Sequence, residues 1–204
     1  MDSKKIILAS QSPRRRDLLT QMGLQFETIP SNYEEKLDDR PAEELAIELA
    51  LGKAQDIARR YPDAYVIGSD TIVTVSGHHL EKPLDAAMAF AMLQEQAGKL
   101  TTVTTGVVIV CQNENLILKD CEVTQVFFKP YDSAAVAAYV ATGDSLDKAG
   151  AYGIQSGAAP LIDHIKGQLD NVIGLPTQLV FTMLQQLGID SQPVHLVSPV
   201  PQEQ

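Results

Sequence analysis

Along this chain the spacing of apolar residues switches between strand-like and helix-like periods, and the switches divide it into elements. The apolar run at 6–9 reads as a strand. Leu18, Leu19 and Met22 recur like one face of a helix over 13–21, after Ser12, a good N-cap, and Pro13, suited to the first helical position. A short strand is expected at 24–29. Leu45, Leu49 and Ala50 give an apolar face to a long helix over 41–60, with a loop after Tyr61 and Pro62. A strand follows over 65–75, interrupted at Gly68-Ser69-Asp70, then a turn at 76–79. Asp85 caps a helix that runs to Gln96 and is closed by Gly98. The runs 100–110 and 116–128 are rich in Val, Thr, Ile and Phe and flank Gln-Asn-Glu-Asn, so they predict an antiparallel hairpin. A helix at 132–140, a short strand at 161–165 and a helix at 176–187 complete the pattern. The last dozen residues read as a loose tail.

This is an α/β pattern with a mixed sheet, because two strands joined by a tight turn cannot be parallel. No composition shift marks a linker and no segment repeats. The expectation is a single two-lobed domain over 1–190, with a cleft between lobes as the natural ligand site and a tail over 191–204.

Composition narrows the class. The chain has 204 residues, 45% hydrophobic and 21% charged, ordinary for a globular protein. No apolar run reaches the roughly 20 residues of a membrane helix, and the N-terminal apolar segment is too short for a signal peptide. A cytoplasmic protein is expected. The net charge of −10 argues against nucleic acid and membrane surfaces as partners, since both favour a basic face. The first 20 residues reverse the sign: Lys4, Lys5, Arg14, Arg15 and Arg16 face only Asp2 and Asp17. A local positive patch on an acidic body suits a small anion. The two cysteines, Cys111 and Cys121, fall out of register across the expected hairpin and read as packing residues.

The candidate chemistry begins at Ser10-Gln11-Ser12-Pro13-Arg14-Arg15-Arg16. Cations in a first helical turn oppose the helix dipole. An anion held there by backbone N–H groups and guanidinium forks removes the conflict. Asp70, inside a Val/Ile-rich strand, is costly to bury unless paired or bound to a metal, and Gly68 is expected to permit close backbone approach by a ligand. Between Glu34 and Glu48 seven carboxylates stand against Lys36 and Arg40. Most form a solvated face, but Glu34 and Glu35 follow a strand directly and can meet a cleft. Lys53, Lys82 and Lys148 are further cations, the last in the glycine-spaced run Asp147-Lys148-Ala149-Gly150-Ala151-Tyr152-Gly153-Ile154-Gln155. The chain has no GxxxxGK[ST] loop, GxGxxG turn, HExxH or GxSxG elbow, and its four histidines are scattered. Cations for phosphates and two acidic positions remain. Those are the parts of metal-assisted hydrolysis at phosphorus.

Taken together, LASQSPRRRDLL, Glu34-Glu35, GSDTIV at 68–73, EKP at 81–83, DKAGAYGIQ at 147–155 and NVIGLP at 171–176 resemble the Maf family of nucleotide pyrophosphatases. They run in family order along nearly the whole chain. The resemblance implies a long curved mixed β-sheet with flanking helices and two lobes around a cleft, similar to the inosine-triphosphate pyrophosphatase fold. It implies hydrolysis of a nucleoside triphosphate to the monophosphate and pyrophosphate. Asp70 matches the proton acceptor. Glu35, with Asp70, matches the positions expected to hold a divalent cation, Mg²⁺ or Mn²⁺. Ser10, Arg14, Arg15, Lys53, Lys82 and Lys148 match positions expected to hold phosphates. Arg14, Thr71 and Gln155 match the subgroup that prefers dTTP and UTP, with modified pyrimidine nucleotides left open. The sister subgroup, similar to 7-methyl-GTP pyrophosphatases, tends to carry tryptophan in place of Arg14 and glutamine in place of Thr71, and this chain has no tryptophan. The expected partner is therefore a nucleoside triphosphate, with no nucleic acid, no membrane, and a homodimer left open. Two rival readings are a 7-methyl-GTP preference and a nucleotide-binding regulator of cell division that needs no catalysis.

Overall fold

The computed structural model describes residues 4–203. Its elements are β1 (Ile6–Leu8), α1 (Pro13–Gln21), β2 (Glu27–Thr28), α2 (Ala42–Ala58), β3 (Tyr65–Val75), β4 (His78–Leu80), α3 (Ala86–Gln96), β5 (Leu100–Cys111), β6 (Leu116–Phe128), α4 (Ser133–Val140), β7 (Ile162–Lys166), α5 (Leu169–Ile173), α6 (Thr177–Gln186) and β8 (Gln202–Glu203). Eight strands form one mixed sheet in the order β2-β1-β3-β5-β6-β7-β8, with β4 added to β3. β1 is parallel to β2 and to β3, β6 is antiparallel to β7, and β7 is parallel to β8. β5 and β6 are neighbours joined by a 3₁₀ turn at Gln112–Glu114, a connection only antiparallel strands allow. Both cysteines are free.

Local chemistry explains most helix starts. The Ser12 hydroxyl accepts the Arg15 N–H at 3.3 Å with Pro13 in the first helical position. Asp85 accepts from Met88 at 2.8 Å, and Asp132 from Ala135 at 2.9 Å. α2 has no side-chain cap but carries Glu43 and Glu44 in its first turn, where the dipole favours anions.

Four expectations are corrected. The strand at 24–29 shrinks to Glu27–Thr28. β3 is continuous through Gly68-Ser69-Asp70, because those residues keep extended pairing while Asp70 finds a cationic partner. The turn after β3 is only Ser76-Gly77, both at positive φ, and the histidines already belong to β4. The tail is not loose at its end: Gln202–Glu203 pair with β7, and Val200 is buried.

The chain divides into two compact units. The first runs to Thr71 and takes back Thr105–Glu122 and Gly174–His195. The second holds Ile72–Thr104, Val123–Ile173 and, from Leu196, the end of the chain. In the first unit, Ile7, Ala9, Val66, Val108 and Val110 from the strands pack against Ala50, Ala54, Ile57 and Ala58 of α2. In the second, α3 packs on α4 and on the 3₁₀ turns at Asp144–Asp147 and Ala149–Ala151.

The α2 contact is unusually close. Ala46, Ala50, Ala54 and Ala58 recur every four residues, so they form one flat stripe, and all are fully buried. A Cβ placed on Gly68 would lie 2.2 Å from the Ala50 carbonyl oxygen, and one on Gly106 would lie 2.4 Å from the Ala46 carbonyl. Gly68→Ala should therefore push α2 outward and cost about 1–3 kcal/mol, the usual penalty of overpacking. Urea unfolding checks this; a midpoint equal to that of the unsubstituted protein would refute the close-contact account.

Candidate functional site

β1 leads into α1 through a turn built on serines. Ser10 is buried and its hydroxyl accepts the Ser12 N–H at 3.1 Å. Ser12 in turn caps the helix. Arg14 and Arg15 are half-buried, whereas Arg16 is exposed. The fold aims Arg15. Its Nε donates to the Gly174 carbonyl at 2.8 Å and its Nη2 to the Thr71 hydroxyl at 3.0 Å. The Thr71 hydroxyl also meets that of Thr105 at 3.0 Å, and the Ser69 hydroxyl donates to the Gly174 carbonyl at 3.3 Å. The guanidinium is thus oriented by protein groups alone. Burial pulls its pKa below the ordinary value, the carboxylates of Asp70 and Glu35 oppose that, and Arg14 adds to it.

Beside Arg15 lies a carboxylate–ammonium–carboxylate arrangement. The Lys53 ammonium, from α2, hydrogen-bonds Asp70 of β3 and reaches Glu35 at 2.7 Å. The Lys53 and Asp70 side chains are only 11% and 8% exposed, while Glu35 is 52% exposed. Burial of the first two is tolerable because each finds the opposite charge. Close packing of Gly68 on α2 sets the spacing of Lys53 and Asp70. The segment that carries Glu35 has no regular structure and is tied to α2 twice. Asp56 accepts from the Ser31 hydroxyl at 3.1 Å and from the Asn32 N–H at 2.9 Å, and these bonds hold its carboxyl below the usual range. The Tyr33 ring lies on Gly52, where an added Cβ would sit 2.3 Å from it. Glu34 is exposed and pairs with Lys36 at 3.6 Å, so only Glu35 of the acidic pair joins Lys53.

Ser10, Arg14, Arg15, Glu35, Lys53, Asp70 and Thr71 all belong to the first unit. Lys82, Lys148 and Gln155 belong to the second, where two of the expected motifs are stitched together. The Gly150 N–H donates to the Glu81 carbonyl at 3.2 Å, and Gln96 donates to the Gly150 carbonyl at 2.8 Å. Gly150 has φ +72°, and a Cβ there would lie 2.8 Å from Val73. Lys82 and Gln155 are exposed. Lys148 is buried, and its three N–H donors face the Asp144 carbonyl at 2.6 Å, the Asp144 carboxylate at 2.8 Å and Asp147 at 2.6 Å. Asp144 also accepts from the hydroxyls of Tyr139 at 2.5 Å and Ser156 at 2.8 Å. Lys148 thereby clasps its own loop. The sequence reading passed over Asp144, although its spacing of four from Lys148 is a pairing signal. It also passed over Thr105 and the Gly174 carbonyl, for which no local signal exists.

Among the described residues, no group of three or more His, Cys, Asp and Glu side chains gathers as a metal cage. Glu35 and Asp70 supply two hard oxygen donors. That is the protein share expected for an ion completed by water and phosphate oxygens.

The Asp144 clasp should make itself felt in acid. Burial alone would raise this carboxyl, but bonds from Lys148, Tyr139 and Ser156 outweigh it and hold the pKa below its ordinary value. A lowered folded-state pKa stabilises above the unfolded value of about 4 and is lost as the pH falls through the folded value. Asp144→Asn should destabilise the protein at pH 7 and much less near pH 3. Denaturant midpoints at both pH values measure this, and an equal gap at the two would contradict it.

The family model described as Maf-like protein matches residues 5–187. A dTTP/UTP pyrophosphatase of Caldicellulosiruptor saccharolyticus is 42% identical over 192 residues, covering 92% of this chain and 96% of that protein. One of Symbiobacterium thermophilum is 46% identical over 187 residues, covering 91% and 95%. One of Thermococcus gammatolerans is 40% identical over 185 residues, covering 91% and 97%. With a model that spans nearly the whole chain and relatives matched over nearly their full length, this chain belongs to the Maf-like protein family.

Proposed function

We propose that this protein is a nucleoside triphosphate pyrophosphatase that cleaves dTTP and UTP between the α- and β-phosphates. The observation that carries the reading is the buried Asp70 carboxylate, held by Lys53 beside a guanidinium whose direction is already set. The names of the relatives support the choice of substrate.

In this reading Asp70 accepts a proton from the attacking water. The water oxygen forms a bond to the α-phosphorus as the bond from that phosphorus to the bridging oxygen breaks. Pyrophosphate leaves and the nucleoside monophosphate remains. Arg15, Arg14 and the N–H groups at the start of α1 take the phosphate oxygens, with Ser10 shaping the turn. Lys53 adds positive charge where the leaving group gains negative charge, and Lys82 matches a further phosphate-binding position. Lys148 acts through its loop, which carries Gln155, and the pyrimidine preference rests on the identities of Arg14, Thr71 and Gln155. Glu35 and Asp70 would hold a divalent cation, Mg²⁺ or Mn²⁺, which when bound polarises the phosphoryl oxygens. The net charge of −10 disfavours a nucleic-acid polymer, while the local positive patch at 4–16 suits a free nucleotide.

Asp70→Asn should lower kcat for dTTP by about 10²–10⁴-fold, the range for loss of a general base, with nucleotide affinity kept within a few-fold. Separate assays of pyrophosphate and orthophosphate read both the rate and the bond broken. Nucleotide binding without any pyrophosphate release by the unsubstituted protein would overturn the reading. So would unchanged release by Asp70→Asn.

A further inference from the structure

The Lys53 ammonium stands where the two carboxylates converge, and that position raises a question of order. Glu35 and Asp70 each place an oxygen against it. A divalent ion on those same oxygens would sit against a third positive charge, beside the buried Asp70. Lys53 and the ion therefore compete for the pair. We propose that Lys53 is a resident cation that occupies the Glu35–Asp70 pair until a polyphosphate draws its ammonium away, so that the metal ion loads together with the nucleotide and not before it. The inference rests on the pyrophosphatase reading and adds to it an order of binding and the residue that imposes it.

Four points support the exchange. A lysine head is a compact charge on a flexible four-carbon stem and can turn from one anion to another. The stem here starts from a fixed base, since Gly68 and Gly106 press α2 against the strands. Arg15 makes the contrast: its guanidinium is tied to the Gly174 carbonyl and to Thr71, so it can receive a phosphate but cannot swing. Glu35 is the more exposed carboxylate, on a segment without regular structure, while Asp70 is buried within β3. When phosphate oxygens replace carboxylate oxygens around Lys53, its charge stays paired. The two carboxylates are then released just as the phosphates supply the remaining ligands the ion needs.

The test measures Mn²⁺ binding to the intact protein by electron paramagnetic resonance, with and without the α,β-methylene analogue of dTTP, which is not cleaved. The unsubstituted protein should bind Mn²⁺ weakly alone and roughly tenfold or more tightly with the analogue, a typical coupling between two sites. Lys53→Met should bind Mn²⁺ alone roughly tenfold more tightly than the unsubstituted protein and lose most of the gain from the analogue. Lys53→Arg keeps the charge and should stay weak. The comparison within the unsubstituted protein needs no variant, so a poorly folded Lys53→Met leaves the proposal exposed. Equal Mn²⁺ affinity with and without the analogue overturns it. So does a folded Lys53→Met whose Mn²⁺ affinity matches the unsubstituted protein. Unchanged pyrophosphate release by Asp70→Asn would remove the assignment of the base and leave the Mn²⁺ comparison standing, so the two failures are told apart.

Discussion

The closeness of α2 to its strands governs the first unit. Two glycines on the strands and a stripe of four alanines on the helix let the backbones approach closely at Gly68 and Gly106. The gain is dispersion and the exclusion of water over a flat interface. Its effect on the site is geometric. A lysine has a limited reach, and its head meets a strand carboxylate only when the helix axis is near. Larger residues at those positions would still give a helix on a sheet, but Lys53 would then meet solvent before Asp70.

Within that frame the two cations nearest the carboxylates are handled differently. Arg15 spends donors on a carbonyl and a hydroxyl, and gains a fixed direction. Lys53 spends its charge on two acids, and gains tolerance of burial. The first is preorganisation: an anion meets a fork already pointed. The second is compensation, which keeps the buried charges of Lys53 and Asp70 from being isolated.

Much of this was legible along the chain. Helix starts announced themselves through Ser12 and Asp85, because a cap is a local bargain between one side chain and the next few N–H groups. Asp70 stood out because an acid in an apolar strand demands an explanation. The continuity of β3 could not be read, since the partner that makes Asp70 tolerable lies 17 residues upstream on another element. Nor could the choice of Arg15 over its neighbours. Three adjacent arginines look alike until the fold brings Gly174 and Thr71 to one of them. The end of the chain misled for a similar reason: the pairing of Gln202–Glu203 depends on an edge that β7 offers, not on anything in the tail.

The hydrogen bond from Arg15 to Gly174 spans 159 residues of sequence. Seen as a matter of time, the group set first by the N-terminus waits for nearly the whole chain. Closing so long a loop is slow and entropically costly, and it happens only when the returning segment has somewhere to dock. A chain still being made, or one cut short before Gly174, holds its arginines and its serine turn but lacks the carbonyl that points them. The direction of the anion grip therefore depends on both ends of the first unit, and neither end sets it alone.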